Sequence, residues 1–413
     1  MERMGKMTIQ EKLAILSDAA KYDASCASSG GARRGSRAGD GLGSTTGSGI
    51  CHAYAPDGRC ISLLKILMTN FCEFDCAYCV NRRSSNVRRA RFTVDEVVWL
   101  TTEFYRRNYI EGLFLSSGII RSSDYTMEEM VRIVEKLRAG GFRGYVHLKT
   151  IPDASPELIE RAGLCADRLS INIELPKDAS IAALAPEKDA DGIRRAMANV
   201  RLTREDYADR SHTGRKRGRY APAGQSTQMI VGADAASDAD VLGNANRLYG
   251  AYGLKRVYYS AFSPIPDASA VLPLKDPPLM REHRLYQADW LLRFYEFGLD
   301  EIVGRDGSGM LDLDVDPKMA WALANRDRFP VDVNRADRET LLRVPGFGTK
   351  IVDRILKARR KTTLGLEDIR RMGGRVKAAR PFVTTRDHHP GAALDDASLR
   401  ARLVPPKQLE LFA

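Results

Sequence analysis

The 413-residue sequence lacks any run of eighteen apolar residues, so it offers no candidate for a transmembrane helix. Its first ten residues carry charge but no apolar stretch typical of a secretory signal, which argues against export. Its seven cysteines show no spacing typical of a disulfide framework. Together these absences predict a protein of the reducing cytoplasm.

The chain has fewer acidic than basic residues, so its formal net charge is +11. Most of the excess lies in one segment, because Arg326–Arg380 contains 16 Lys and Arg against 7 Asp and Glu, a net of +9. A concentrated basic segment favours a polyanionic partner such as nucleic acid. A solvated basic surface is the alternative that charge alone leaves open.

Apolar residues are nearly absent from Ser25 to Gly49, which is rich in Gly, Ser and Arg. Such a segment cannot bury enough apolar surface to order itself alone, so a flexible segment is expected there. Before it, apolar residues at helical spacing predict an amphipathic helix over Ile9–Tyr22.

From Ile61 onward, apolar strand-like runs alternate with helical patterns. The predicted strands are Ile61–Met68, Gly112–Leu115, Tyr145–Thr150, Arg168–Leu175, Thr227–Val231 and Lys255–Ser260. The predicted helices are Thr93–Arg107, Thr126–Ala139, Ser155–Ala162, Asp189–Leu202 and Asp238–Tyr252. This alternation predicts an α/β fold with a parallel sheet, and six strands fit a partial (β/α)6 barrel.

Two of the predicted strands place polar side chains at every second residue. One strand has His147 and Lys149 on one face, and another has Ser170, Asn172 and Glu174 on one face. A polar inner face indicates a lumen that holds a ligand, whereas a polar face on solvent at a sheet edge is the alternative. His147 and Lys149 are candidates for acid–base groups in such a lumen, with structural or solvated groups as the alternative.

The loop after the first predicted strand has three cysteines, Cys72, Cys76 and Cys79, at CxxxCxxC spacing. Three thiolates on one loop can hold a [4Fe–4S] cube and leave its fourth iron open to a chelating ligand. The alternatives are buried thiols, a disulfide pair, or a zinc site that recruits His52 or Cys60.

The remaining cysteines have irregular spacing. Cys26, Cys51 and Cys60 are either ligands of a second cluster or buried thiols, and the frequency of buried cysteine favours the second interpretation. Cys165 ends a predicted helix and is interpreted as a packing residue.

The CxxxCxxC spacing, with the aromatic Tyr78 before the last cysteine, resembles the radical S-adenosylmethionine (SAM) superfamily. This resemblance implies a radical-SAM barrel in which Cys72, Cys76 and Cys79 hold the [4Fe–4S] cluster. It also implies that the open iron binds SAM, and that an electron from the cluster cleaves SAM to a 5′-deoxyadenosyl radical.

Further stretches resemble the SAM-binding elements of the superfamily, and Tyr78 is expected near the adenine. Ser116, Ser117 and Gly118 stand where many members have a GGE-type turn, although no acidic residue is present here. Asn172 and Glu174 stand where members contact the ribose, and Gln228-Met229-Ile230-Val231-Gly232 resembles a loosened GxIxG element. The implied cofactor-binding residues are Tyr78, Ser116, Ser117, Gly118, Asn172, Glu174, Gln228, Ile230 and Gly232.

The basic C-terminal segment contains Val344-Pro345-Gly346-Phe347-Gly348-Thr349-Lys350 between two helical patterns, and this resembles a helix-hairpin-helix motif. Its glycines allow a sharp turn, so the N–H groups that begin the second helix can face a phosphate. The candidate DNA-binding residues are Gly346, Gly348, Thr349 and Lys350. An ordinary αα-hairpin is the alternative, and a weaker second hairpin is expected around Met372-Gly373-Gly374.

Two other segments suggest polyanion or protein partners. The basic stretch Arg210–Arg219 is expected to form a surface loop before the fifth strand. At the C-terminus, Gln408, Leu409, Leu411 and Phe412 resemble the bacterial motif that binds the sliding clamp, with docking on the protein's own core as the alternative.

The chain also resembles a bacterial family of radical SAM proteins described in DNA modification or repair and linked with a uracil-DNA glycosylase-like partner. The residues that carry this resemblance are Lys21–Cys26, Cys51-His52, Gly58–Cys60, the CxxxCxYC core, Arg107–Gly112 and the hairpin. The resemblance implies a radical SAM enzyme that acts on DNA. An RNA-modifying radical SAM enzyme, a non-catalytic DNA-binding protein with a structural iron–sulfur cluster and a maturase of a partner protein are the alternatives. The predicted regions are an N-terminal region (1–60), the radical-SAM barrel (61–270), a linker with helices (271–325), an all-α helix-hairpin-helix unit (326–380) and the tail (381–413).

Overall fold

The computed structural model describes residues 7–22, 49–54, 60–212, 219–265, 271–275, 277–303 and 307–404. Most of the predicted flexible segment, with Cys26, lies outside the described residues, as do the centre of the predicted basic loop and the clamp-binding-like residues Gln408, Leu409, Leu411 and Phe412. The chain divides into two compact units. Unit 1 comprises Met1–Ala235 and Arg247–Pro277, and unit 2 comprises Ala236–Asn246 and Pro278–Ala413.

Unit 1 contains a seven-stranded sheet whose strands lie in sequence order. The strands are β1 Ile50–Tyr54, β2 Cys60–Leu67, β3 Gly112–Ser116, β4 Tyr145–Lys149, β5 Arg168–Ser170, β6 Gln225–Val231 and β7 Arg256–Ala261. Strands β2 to β7 are parallel, which confirms the predicted α/β partial barrel. Strand β1, which was not predicted, pairs antiparallel with β2.

The helices of this part of the chain mostly follow the predicted positions. They are α1 Ile9–Ala19, α2 Val94–Arg106, α3 Ser123–Ala139, α4 Pro156–Cys165, α5 Asp178–Leu184, α6 Ala190–His212 and α7 Asp238–Tyr252. The predicted cap of α2 is present, because Thr93 and Glu96 form a capping box. In the part of the chain that is described, no helix is both long and apolar enough to cross a bilayer.

Three expectations for unit 1 were wrong. Helix α6 continues to His212 instead of ending near Leu202, and α5 lies in a stretch for which no helix was predicted. The predicted strand Arg168–Leu175 ends at Ser170. Its continuation is broken at Glu174, whose φ of 66° lies in the left-handed region and is incompatible with an extended strand.

The two faces of the sheet differ in polarity. The face with Leu64, Leu113 and Leu148 is apolar, and these side chains are fully buried. The opposite face contains Arg168 of β5 and Tyr258 of β7, whose side chains are 3.4 Å apart although β6 lies between their strands. A contact across an intervening strand is favoured on the concave face of a curled sheet, so the polar face is assigned as the inner one.

Unit 2 is mostly helical. Its elements besides the start of α7 are α8 Leu279–Phe294, α9 Leu299–Ile302, α10 Pro317–Ala324, β8 Val331–Asp332, α11 Arg338–Arg343, α12 Thr349–Ala358, α13 Leu366–Arg371, α14 Val376–Ala379, β9 Val383–Thr384 and α15 Leu399–Leu403. Strand β8 lies in the predicted all-α unit and pairs in parallel with β9, which lies in the predicted tail.

Aromatic side chains form much of the core of unit 2. Trp321 packs edge-on against both Phe297 and Phe329, and Phe329 packs against Phe382. Arg343 is buried with its guanidinium 4.1 Å from the Phe297 ring centroid and pairs with Glu301 at 2.9 Å. The arginine therefore satisfies its charge while it covers an aromatic face.

The basic segment folds as two adjacent helical hairpins. The first joins α11 to α12 through the turn at Gly346, whose φ of 83° suits glycine. A Cβ at Gly346 would lie 2.7 Å from the carbonyl oxygen of Arg375, in the turn of the second hairpin. The Arg375 N–H also donates to the Gly346 carbonyl at 3.2 Å, so glycine lets the two turns pack together.

The buried Lys318 gives unit 2 a testable pH dependence. Its Nζ donates to the Phe347 carbonyl at 2.6 Å, and burial lowers its pKa from 10.5 to about 7. Between these two values the unfolded chain holds a proton that the folded chain has lost, so the free energy of unfolding rises with pH.

We expect Lys318→Met to remove this dependence. Wild-type stability should rise relative to the variant by on the order of 2–4 kcal/mol between pH 7 and 10, measured by urea unfolding. Lys357→Met, at an exposed lysine of α12, serves as the control and should keep the wild-type profile. A difference in the free energy of unfolding between wild type and Lys318→Met that does not change with pH would contradict the lowered pKa of Lys318.

Candidate metal and cofactor site

The cysteine loop leaves the carboxyl end of β2 and is organised by one arginine. The Arg89 guanidinium donates to the backbone carbonyls of Asn70, of Asn81 at 2.8 Å, of Arg82 at 2.5 Å and of Ser85 at 2.9 Å. A planar fork with five N–H donors is suited to gather several carbonyls in this way. Arg89 was not predicted as a site residue, because a single arginine in a basic stretch forms no recognisable sequence pattern.

The three loop cysteines are unpaired thiols in the described structure. Burial raises the pKa of Cys76 to about 12 and that of Cys79 to about 11, and the charges of the three thiols influence one another. Such thiols ionise only if a cation stabilises the thiolates, as metal coordination does. The raised pKa values therefore argue against reactive free thiols, and they are compatible both with buried thiols and with ligands of a metal cluster.

The described residues contain no group of three or more His, Cys, Asp or Glu side chains arranged around a single metal ion. A cubane cluster binds each protein thiolate on a different iron, so its ligands stand further apart than those of one ion. The spacing of Cys72, Cys76 and Cys79 on one loop is compatible with that larger group.

The predicted turn Ser116-Ser117-Gly118 lies directly against the cysteine loop. The Gly118 N–H donates to the Thr69 carbonyl at 2.8 Å. The Glu73 N–H donates to the Ile119 carbonyl at 2.7 Å. A Cβ at Gly118 would lie 2.1 Å from the Phe71 carbonyl oxygen and 3.3 Å from Cys72 Cβ, so only glycine fits this approach.

Helix α5 and the residues after it support the other side of the loop. The Ala77 N–H donates to the Leu184 carbonyl at 2.7 Å, and the Asp75 N–H donates to Glu187 Oε1 at 3.1 Å. Two elements that are more than a hundred residues downstream of the cysteines therefore fix the backbone between them.

Tyr78 brings an unsatisfied polar atom to this site. Its Oη is buried and has no hydrogen-bond partner in the described structure. Lys188 Nζ lies 6.0 Å from the Tyr78 ring centroid and pairs with Glu174 Oε1 at 2.6 Å. A buried hydroxyl without a partner is the feature expected where a polar ligand is to bind. The site thus fits a cofactor with polar groups beside the cysteines.

Glu174 pairs through Oε1 with Lys188 Nζ at 2.6 Å, and its contact with the ribose stays a prediction. The strong pairing with Glu174 and the nearby thiols raise the pKa of Lys188 although burial opposes it, so this lysine stays charged beside the loop. Lys188 was not predicted as a site residue, since a single lysine after a helix forms no recognisable sequence pattern.

The other predicted SAM-contacting residues lie together. Asn172 Nδ2 donates to Gln228 Oε1 at 3.4 Å, and the Ile230 N–H donates to the Glu174 carbonyl at 2.7 Å. Gly232 follows β6 directly with a φ of 84°. The structure therefore brings the residues of the fourth-strand and GxIxG-like elements into one neighbourhood, while their contacts with SAM stay predictions.

Tyr78 and Ile230 pack against the same buried apolar group. Its members are Leu175, Ile181, Leu184, Ala233, Phe262 and Leu272. The cysteine loop and the end of β6 thus share one apolar wall, which suits the predicted position of both residues near an adenine ring.

His147 and Lys149 lie on β4, and His147 is 2% exposed. His147 Nε2 lies 2.6 Å from Ser170 Oγ, which in turn lies 2.6 Å from Ser226 Oγ. This chain of hydrogen bonds crosses three strands of the inner face, so the predicted polar lumen is present and His147 belongs to a buried network.

The additional cysteines that are described do not converge. Cys51 pairs with Leu63 and lies on the inner face, packed against a core of Ile61, Leu63 and Phe114. Cys60 is exposed and pairs with Tyr54, which places it on the opposite face of the β1–β2 hairpin. The expectation of buried thiols is therefore wrong for Cys60, while Cys26 lies outside the described residues.

Comparison with known families now adds to this geometry. Residues 66–242 match the model of the Radical SAM superfamily. The chain contains a radical SAM domain. The protein is therefore an enzyme, and the cofactors used in this superfamily are a [4Fe–4S] cluster and SAM. The alternative of a non-catalytic protein with a structural cluster is thus wrong. No curated protein matches the chain.

Solved structures also resemble part of the chain. The FeFe-hydrogenase maturase HydG from Carboxydothermus hydrogenoformans is 13% identical with a TM-score of 0.41, covering 55% of this chain and 50% of HydG. A structure of methylornithine synthase (PylB) is 14% identical with a TM-score of 0.42, covering 55% of this chain and 60% of PylB. The chain therefore spans only about half to three-fifths of the length of these structures.

The close approach of Gly118 to the cysteine loop is testable. We expect Gly118→Ala to push the loop away from the turn and to lower the iron bound per chain after anaerobic reconstitution, because the new Cβ would lie 2.1 Å from a backbone oxygen. Gly250→Ala is the matched control, since a Cβ there meets nothing within 4 Å.

The measurement is iron content together with the visible absorbance of the cluster, with circular dichroism to verify that the fold is retained. Equal iron content in the two folded variants would show that the contact between Gly118 and the loop is dispensable.

Proposed function

We propose that the protein is a radical SAM enzyme that modifies or repairs DNA. Cys72, Cys76 and Cys79 hold the [4Fe–4S] cluster in this proposal, and the site around Tyr78, Gly118, Asn172 and Gln228 receives SAM. When bound and reduced, the cluster supplies the electron for reductive cleavage of SAM.

The protein's own residues have three tasks at this site. The Arg89 guanidinium donates hydrogen bonds to backbone carbonyls of the cysteine loop. The positive charge of Arg89 also lies close enough to Cys72 and Cys79 to influence both thiols. Tyr78 offers an unpartnered hydroxyl to the cofactor. Lys188 and Glu174 form an ion pair beside the cysteines, so the charges of these two side chains largely cancel.

The observation that supports a DNA substrate is the pair of helical hairpins in the basic segment. Lys350 is exposed in the first turn of α12, next to the glycine turn at Gly346. Such a turn contacts the phosphate backbone without regard to base sequence. The Thr349 N–H already donates to the Tyr295 hydroxyl, so in this proposal the Lys350 side chain makes the main phosphate contact.

A base in a duplex must leave the stack to reach the inner face of a barrel. That extrusion costs roughly a few kcal/mol and less for a damaged base, which favours repair over modification of intact DNA. Recruitment through the tail residues Gln408, Leu409, Leu411 and Phe412 to a sliding clamp, and cooperation with a uracil-DNA glycosylase-like protein, belong to the same proposal.

An RNA substrate is the second candidate, because phosphate contacts alone do not distinguish RNA from DNA. The resemblance of the C-terminal tail to a clamp-binding motif favours DNA. The cytoplasm remains the proposed location.

DNA binding by the hairpin is tested with Lys350→Gln. We expect weaker binding to a labelled duplex and a reduction of about 0.9 in the slope of log affinity against log salt, since one phosphate contact is lost. Fluorescence anisotropy at several salt concentrations measures both quantities.

Lys136→Gln is the matched control, because Lys136 is an exposed lysine of α3 that pairs with Asp95 outside the basic segment. The same loss of affinity in both variants would attribute binding to net charge alone. Tighter binding to an RNA of the same length than to duplex DNA would favour the RNA alternative.

A further inference from the structure

The inner face of the sheet carries positive charge. Within its seven strands this face contains no Asp or Glu. The strand pairing places four basic side chains on it, Lys65, Lys149, Arg168 and Arg256. Such a surface favours a negatively charged ligand.

Arg168 is the most deeply placed of these cations, with an exposure of 8%. Its Nη1 donates to the Tyr258 hydroxyl at 3.4 Å, and the guanidinium also donates to the Tyr145 hydroxyl. Its Nε is buried and has no partner among the described residues. Burial raises the pKa of Tyr145 to about 12, so this phenol is neutral and supplies no countercharge.

The neighbouring carboxylates are already used by other groups. Asp167 points to the opposite face of the sheet, where it accepts from Arg138 Nη2 at 2.9 Å and from the Val146 N–H at 2.8 Å. Glu174 is paired with Lys188 at 2.6 Å. Arg168 is therefore a buried charge without a countercharge, which is costly unless a ligand completes the site.

We propose that Arg168, with Tyr145 and Tyr258, binds an anionic group of the substrate, a phosphate or a carboxylate, on the inner face of the barrel. An arginine fork matches both groups bidentately. A tyrosine hydroxyl that accepts from Arg168 keeps its own proton to donate, so Tyr145 and Tyr258 can each donate to the same anion.

The position of this site relates it to the cysteine loop. In the strand register, Arg168 of β5 lies beside His147 of β4, and His147 lies beside Phe114 of β3. Phe114 in turn lies beside Lys65 of β2, the strand that leads into the loop with Cys72. The anion would therefore lie deeper in the barrel than the loop, and the rest of the substrate would extend towards it. This inference rests on the radical SAM domain as the place of reaction and is independent of the DNA hypothesis.

The test measures anion binding by the full-length protein without SAM or DNA, so that it does not depend on the proposed reaction. Inorganic phosphate and acetate are the probes, with sodium chloride at the same ionic strength as the reference. We expect one of the two probes to raise the melting temperature of wild type by a few degrees at about tenfold excess over its dissociation constant. The effective probe identifies the anionic group.

Arg168→Met should abolish this shift and melt higher than wild type in chloride, because a buried charge without a countercharge is removed. Arg106→Met is the matched control, since Arg106 is 72% exposed on α2, and it should keep the wild-type shift. Tyr258→Phe should weaken the shift while it preserves the ring, which keeps the test informative if Arg168→Met does not fold.

Two results would overturn the proposal. One is a wild-type protein whose melting temperature responds to neither probe. The other is an Arg168→Met variant that melts lower than wild type in chloride and retains the full anion shift, since Arg168 would then be a structural residue satisfied by the two tyrosines. Loss of DNA binding in Lys350→Gln would leave both measurements unaffected.

Discussion

The Arg89 guanidinium holds the cysteine loop together, and the rest of the site depends on it. The cysteines lie in the 26-residue stretch 68–93, between the end of β2 at Leu67 and the start of α2 at Val94, and the backbone carbonyls of this stretch need donors. Arg89 supplies donors to four of them, while Gly118 lets the next turn approach and α5 closes the other side. A loop fixed from three directions can present thiols at defined positions before a cluster is inserted.

Electrostatics divides the inner face into two regions. Beside the cysteines, Lys188 and Glu174 neutralise each other, and the Arg89 guanidinium adds positive charge close to Cys72 and Cys79. Deeper in the barrel, Arg168 lies with tyrosines and without a carboxylate. The first arrangement suits an anionic cluster with SAM, and the second suits an anionic substrate. The two regions lie along the same strands, as a reaction between cofactor and substrate requires.

Much of this architecture was predictable from sequence because it follows from periodicity and local chemistry. Alternating strands and helices, the cap at Thr93 and the polar alternation around His147 each have a local signal. The features that were missed depend on contacts between distant residues. Strand β5 ends at Ser170, and the left-handed backbone of Glu174 beyond it has no local signal in the sequence, while Arg89 and Lys188 act through tertiary contacts.

The central claim is that the cysteine loop supports SAM cleavage, and the most direct measurement is 5′-deoxyadenosine formation. The reconstituted and reduced protein would be incubated anaerobically with SAM, and the nucleoside quantified by chromatography. The account predicts product from wild type and from Cys165→Ala, a cysteine at the end of α4, and none from Cys76→Ala. A wild-type protein with a full cluster that forms no 5′-deoxyadenosine, or equal product from Cys76→Ala, would contradict it.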